Sequence, residues 1–224
     1  MISDFSDIIS LFRELDEVLK GNADVFLIGG GALMKYDLKY ETKDVDIVVS
    51  TEKEFRSLVR AFISLGFEKR RPDDAAYDRM ALTDMLIKDD YRIDLFCKAV
   101  CGKFTLSERM RGRASLDLSL SGLRLFVCSP NDIFLFKCMT ERKGDLQDCE
   151  KVVKSYRMDW DAVLNEAAEQ SADEHGMWIR WMTDRMEALC DRGVNIPIMD
   201  KMRKLFDEYM DERSIEAEKR NSDI

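Results

Sequence analysis

Residues 26–49 read FLIGGGALMKYDLKYETKDVDIVV: an apolar run, three glycines, and then two aspartates one residue apart. Val25 to Ile28 has the form of a buried strand entering a turn, with a helix expected over Ala32 to Leu38. Val45 to Val49 reads as a second strand. Alternate strand residues share a face, so Asp44 and Asp46 project to one side while Val45 and Ile47 project to the other. Like charges that close repel unless a cation lies between them, and magnesium takes oxygen ligands of this kind. Gly29, Gly30 and Gly31, placed between a strand and a helix, let backbone amides approach a phosphate. Phosphate and a divalent cation together point to a nucleotide.

The flanking sequence supplies the rest of an α/β layer. Ile8, Leu11, Phe12, Leu15 and Val18 recur at helical spacing, with Gly21 as a stop. Thr51 and Glu54 have capping-box spacing for a helix running towards Leu65. Met80–Lys88 and Tyr91–Cys97 predict a hairpin about Asp89 and Asp90, and Leu116–Leu120 and Leu123–Val127 a second about Ser121 and Gly122. Ser129, Pro130 and Asp132 start a helix expected to reach Arg142. Beyond it, helical spacing recurs over Leu146–Tyr156, Ala162–Glu169, Glu174–Leu189 and Ile198 to about Arg213, with fraying expected after Ser214. The expected division is an α/β domain over 1–128 and an α-helical domain over 129–224.

Composition narrows the function. The 224 residues are 46% hydrophobic and carry a net charge of -9, which argues against a protein that coats nucleic acid by bulk electrostatics. The acidity is uneven, because residues 159–224 hold 17 acidic and 9 basic side chains while residues 1–158 are nearly neutral. Lys98, Lys103, Arg109, Arg111, Arg113 and Arg124 make one stretch locally basic. Six irregularly spaced cysteines without a secretory segment predict a reduced, cytoplasmic protein, and no apolar run suits a membrane span. Phe26, Phe96, Met182 and Met186 read as core, and His175 as a solvated residue near a helix start.

In order and spacing, Ile28-Gly29-Gly30 followed by Asp44-Val45-Asp46-Ile47 resembles the nucleotidyltransferase superfamily of DNA polymerase β. Asp94 in YRIDLF matches the third carboxylate of that pattern. SPNDIFLFKCMTERKGDLQDCEKV resembles the closing motif of AbiEii-like toxins and related minimal nucleotidyltransferases, with Lys137, Arg142, Lys143, Asp145 and Asp148 at the matching positions. The resemblance covers roughly Val25 to Val153. It implies an α+β fold, a mixed sheet flanked by helices and followed by an α-helical C-terminal region. It also implies transfer of NMP from an NTP such as ATP to a hydroxyl of an RNA, protein or small molecule, releasing pyrophosphate. Asp44, Asp46 and Asp94 would be the catalytic residues and the ligands of two Mg2+ ions, with Mn2+ an alternative, and Asp94 the general base. Gly29 and Gly30 would cradle phosphates. Thr42, Lys43 and Lys137 would offset charge on the leaving group, with Asp145 orienting Lys137. The partners implied are a nucleoside triphosphate, an acceptor such as tRNA, and an antitoxin-type protein.

This chain departs from the pattern where an arginine commonly precedes the threonine, since it reads Lys39-Tyr40-Glu41-Thr42-Lys43 and so lacks the bidentate fork. The competing expectations are a catalytically inactive nucleotide- or partner-binding module of the same fold and a metal-dependent phosphohydrolase. Three converging acids argue against the first, and the lack of clustered histidines against the second.

Overall fold

A computed structural model describes residues 1–70, 80–102, 104–140, 142–172 and 177–222. His175 lies outside them. The chain divides into two compact units, Met1–Phe136 and Lys137–Ile224.

The first unit runs α1 (Phe5–Val18), β1 (Ala23–Ile28), α2 (Gly29–Lys35), β2 (Val45–Val49), α3 (Glu52–Ser64), β3 (Glu68–Arg70), β4 (Met80–Lys88), β5 (Tyr91–Cys101), β6 (Phe104–Thr105), α4 (Glu108–Arg113), β7 (Ser115–Ser119) and β8 (Leu123–Val127). It ends within α5 (Pro130–Cys138). The strands form one mixed sheet of order β3-β4-β5-β2-β1-β8-β7, with β6 paired to β5. Pairing is parallel for β1 with β8 and for β2 with β5, and antiparallel for the rest. Both expected hairpins form, around Asp89-Asp90 and around Leu120-Ser121-Gly122.

One sheet face carries Val25, Leu27, Ile47, Ile93 and Leu95, all fully buried. α1 and α3 are amphipathic and bring Ile8, Phe12, Leu58 and Phe62 to the core. Local sequence sets the helix starts as expected. Thr51 caps α3 by accepting from the Glu54 amide at 3.2 Å, and the Thr51 hydroxyl donates to the Glu54 carboxylate at 2.7 Å. Glu54 also accepts from the Asp24 amide at 3.1 Å, which fixes the start of β1 to the helix. Ser129 caps α5, and Phe26 and Phe96 are core residues.

The second unit holds the end of α5 and then α6 (Lys143–Ser155), α7 (Trp160–Ala172), α8 (Met177–Cys190) and α9 (Met199–Ser222). Cys149, Val152, Val163, Ile179, Met182 and Met186 are among its fully buried side chains. α9 continues past Ser214 instead of fraying there, because its last stretch, IEAEKRN, consists mainly of good helix formers. α5 stops at Cys138, short of the expected Arg142, and Arg142 becomes the N-cap residue of α6. The six cysteines are free. No helix among the described residues is long and apolar enough to cross a membrane.

Candidate active site

Register across three strands builds the site. Ile28 of β1 pairs with Asp46 of β2, and Asp46 pairs with Asp94 of β5. Directly paired residues project to the same face, so the two aspartates stand side by side. Asp44, two residues before Asp46, joins them, and one oxygen from each of the three carboxylates lies within 4.8 Å of the others. Asp94 is 1% exposed and Asp46 9%, while Asp44 is half-buried.

The glycines have a steric reason to be bare. Gly29 has φ +62°, and a Cβ there would sit 2.8 Å from the Asp46 Cγ and overlap its carboxylate. A Cβ on Gly30 would fall 3.1 Å from the Thr42 Cβ and collide with the Thr42 hydroxyl. The helix that follows β1 therefore presses its first turn onto Asp46 and Thr42, starting at Gly29 and not at Ala32. Gly31 faces the core instead, against Leu27 and Ile8.

Thr42 is buried behind Asp44. Its hydroxyl donates to the Asp44 carbonyl at 3.0 Å and approaches the Asp44 carboxylate at 3.4 Å. Its backbone is tied to Ile2 by two hydrogen bonds of 2.9 Å. Lys43 is exposed beside it. Lys39, half-buried, passes over Gly30 with its Cδ 3.6 Å from where a Cβ would stand.

Arg92 is a residue that the motif did not announce. Its Nε and one terminal nitrogen donate to the two oxygens of Asp94 at 2.8 and 2.7 Å, a bidentate fork. The signal was present in the sequence: Arg92 and Asp94 are two apart on a strand and must share a face. Among the described residues, Asp44, Asp46 and Asp94 bring three carboxylates together. That all-oxygen donor set fits a divalent cation of the magnesium or manganese kind.

Lys137 and Asp145 belong to the second unit and meet there. The Lys137 ammonium donates to Asp145 and to Asp148, each at 2.8 Å, and Asp145 also accepts from Arg142 at 2.7 Å and from the Thr140 hydroxyl. Burial opposes the Lys137 charge, but the two aspartates outweigh it and raise its ammonium above the ordinary range. Burial likewise opposes the Asp145 carboxylate, yet Lys137 and Arg142 bring its pKa down to about 2. Lys137 is thus enclosed in an ion network that joins the end of α5 to α6.

No curated protein shows significant similarity to the chain. Among solved structures, the fold is similar to a crystal structure of ANT(2'')-Ia in complex with adenylyl-2''-tobramycin. That match has a TM-score of 0.50 and 14% identity, and covers 76% of this chain and 98% of the other. A solution structure of the antibiotic-resistance factor ANT(2'')-Ia matches with a TM-score of 0.50 and 12% identity, over 77% and 97% of the two chains. Residues 6–187 match the family described as nucleotidyltransferases of unknown function, DUF6036, and the chain belongs to that family.

Proposed function

We propose that the chain transfers a nucleoside monophosphate from an NTP to an acceptor hydroxyl, with pyrophosphate as the leaving group. The convergence of Asp44, Asp46 and Asp94 within 4.8 Å carries this reading. Asp44 and Asp46 would hold the divalent cation that accompanies the triphosphate, and Asp94 would share a second. Such ions supply charge neutralisation on the phosphates and acidify a bound hydroxyl.

The chain's own residues then have separate tasks. The acceptor oxygen forms a bond to the α-phosphorus, the bond from that phosphorus to the bridging oxygen breaks, and the electron pair leaves with pyrophosphate. Asp94 is the candidate to receive the acceptor proton, and Arg92 aims its carboxylate. Gly29 and Gly30 bring backbone amides to the phosphates without a side chain in the way. Lys43 and Lys39 would offset charge on the leaving group, while Thr42 would position Asp44. Lys137 and Asp145 contribute by fixing α6 to the end of α5.

The test supplies magnesium, each α-labelled ribonucleoside triphosphate in turn, and three acceptors in parallel: total tRNA, cell lysate and tobramycin. The tRNA and lysate arms follow the AbiEii-like closing motif, and the tobramycin arm follows the ANT(2'')-Ia complex. Label should move to an acceptor and vanish in Asp46→Asn, whose fold should persist. An Asp46→Asn protein that transfers label at the normal rate would refute the assignment.

A further inference from the structure

Away from the aspartates, Val18, Lys20, Lys53, Ser57, Arg60 and Ser64 line, with Ala61, a cavity of about 460 Å³ between the end of α1 and one face of α3. Three of the lining side chains are cations and none is an acid. Among the described residues, Lys20, Lys53 and Arg60 have no carboxylate partner.

The arrangement of α3 makes this specific. A helix stabilises surface cations by placing acids three or four residues away, and α3 does so elsewhere, with Arg56 paired to Glu52 at 3.6 Å. On the cavity side, the residue four after Lys53 is Ser57 and the residue four after Arg60 is Ser64. Serine stands where glutamate would neutralise the face. Both hydroxyls donate to backbone carbonyls, Ser57 to Lys20 at 2.6 Å and Ser64 to Ala61 at 2.7 Å. With those hydroxyl protons committed, the ammonium and guanidinium groups are the polar donors left to the cavity.

Lys53 and Arg60 are seven residues apart, or about 10 Å along the helix axis. Ser57, which holds the Lys20 carbonyl, lies between them, so the backbones that carry the three cations are spread along the cavity. A spread of that length matches two or three linked phosphates better than a single one. We infer that this cavity is a second anion site, one that takes a small ligand with linked phosphates, of the inorganic polyphosphate or nucleoside polyphosphate class. The site does not depend on the three aspartates or on the proposed reaction.

The test is calorimetric titration of inorganic triphosphate in EDTA, into the full chain and into Asp46→Asn, so that metal-dependent binding at the aspartates is suppressed. One binding event should persist in both proteins. Lys53→Gln and Arg60→Gln should each weaken it about tenfold, the equivalent of one charge-assisted contact, with unchanged melting because both side chains are exposed. Ser64→Glu retains every cation but adds an acid beside Arg60, and it should abolish the event. Binding that is equal in the parent and all three variants would overturn the site. Tight binding of a short oligonucleotide with no binding of triphosphate would overturn the small-ligand class in favour of a nucleic-acid backbone.

Discussion

Gly29→Ala tests the link between backbone geometry and site chemistry. The residue sits at φ +62°, where an alanine costs about 1–2 kcal/mol. In a protein of this size that loss lowers the melting point by roughly 2–8 °C. The larger effect is on the site. The new methyl would lie 2.8 Å from the Asp46 Cγ and overlap the carboxylate, so Asp46 must leave its place beside Asp94. A displacement of ~1 Å at a reacting centre costs about a hundredfold in rate, equivalent to about 2.7 kcal/mol of barrier. The assay is pyrophosphate release under saturating Mn2+, alongside calorimetric titration of Mn2+. Gly31→Ala is the matched control. Its Cβ would meet Leu27 and Ile8 methyl carbons at 3.2 and 3.3 Å, which perturbs packing without touching an aspartate. It should lose stability and keep activity. In an Asp46→Asn background, Gly29→Ala should add almost no further loss of rate, since both changes act through the same carboxylate. A Gly29→Ala protein that binds Mn2+ and turns over within twofold of the parent would refute the reasoning.

Replacing Lys137 by Met leaves Asp145 and Asp148 buried without their shared cation and should cost about 3–5 kcal/mol in urea unfolding. That deficit should shrink in mild acid, where one of the two carboxyls takes a proton. In the parent chain, Asp145 has a folded pKa of about 2, below its unfolded value. Its stabilisation, about 2 kcal/mol, is therefore complete above roughly pH 4 and lost as the pH falls towards 2. Urea midpoints measured down this range should fall more steeply than those of Asp145→Asn. Arg92→Lys keeps the charge but loses the fork on Asp94. Turnover should drop about tenfold with little change in nucleotide affinity, and an unchanged rate in steady-state kinetics would show that Asp94 needs no such aim.

The carboxylates were legible because strand periodicity is a local rule. Once Val45–Val49 is a strand, Asp44 and Asp46 must share a side, whereas Asp94 was legible only through the family resemblance, because its place beside Asp46 is a matter of strand register. The elements that escaped notice lack any pattern. β3 is Glu-Lys-Arg, exposed throughout, β6 is two residues long, and α4 buries only Met110 and contains Gly112. They exist through their neighbours, β3 by pairing with β4 and β6 by pairing with β5. The glycines were read as room for a phosphate, and sequence alone could not show that Asp46 and Thr42 are what press against Gly29 and Gly30. That is a nonlocal fact, as is the early start of α2 on residues that are poor helix formers. Lys137 shows a different limit: its sequence marks a conspicuous cation, but only the fold shows that the aspartates eight and eleven residues later both bind it.

The basic stretch from Lys98 to Arg124 follows the same logic and bears on the acceptor. Arg111 donates to Ser50 at 2.9 Å and pairs with Glu108, Arg113 forks onto the buried Asp132, and Arg124 forks onto Asp24. These bonds hold α4, β8 and the start of α5 in place within the first unit. A guanidinium bound to a carboxylate offers a phosphate much less than a free one, because docking must first break that pair. Positive charge counted along the sequence therefore overstates the charge available to an RNA backbone on this stretch. Among the described residues, Lys20 just after α1 and Lys53 and Arg60 on α3 have no acid partner and contribute the more accessible positive potential. If the acceptor is RNA, its affinity and salt dependence should therefore change little in Arg124→Gln, which should instead lower stability.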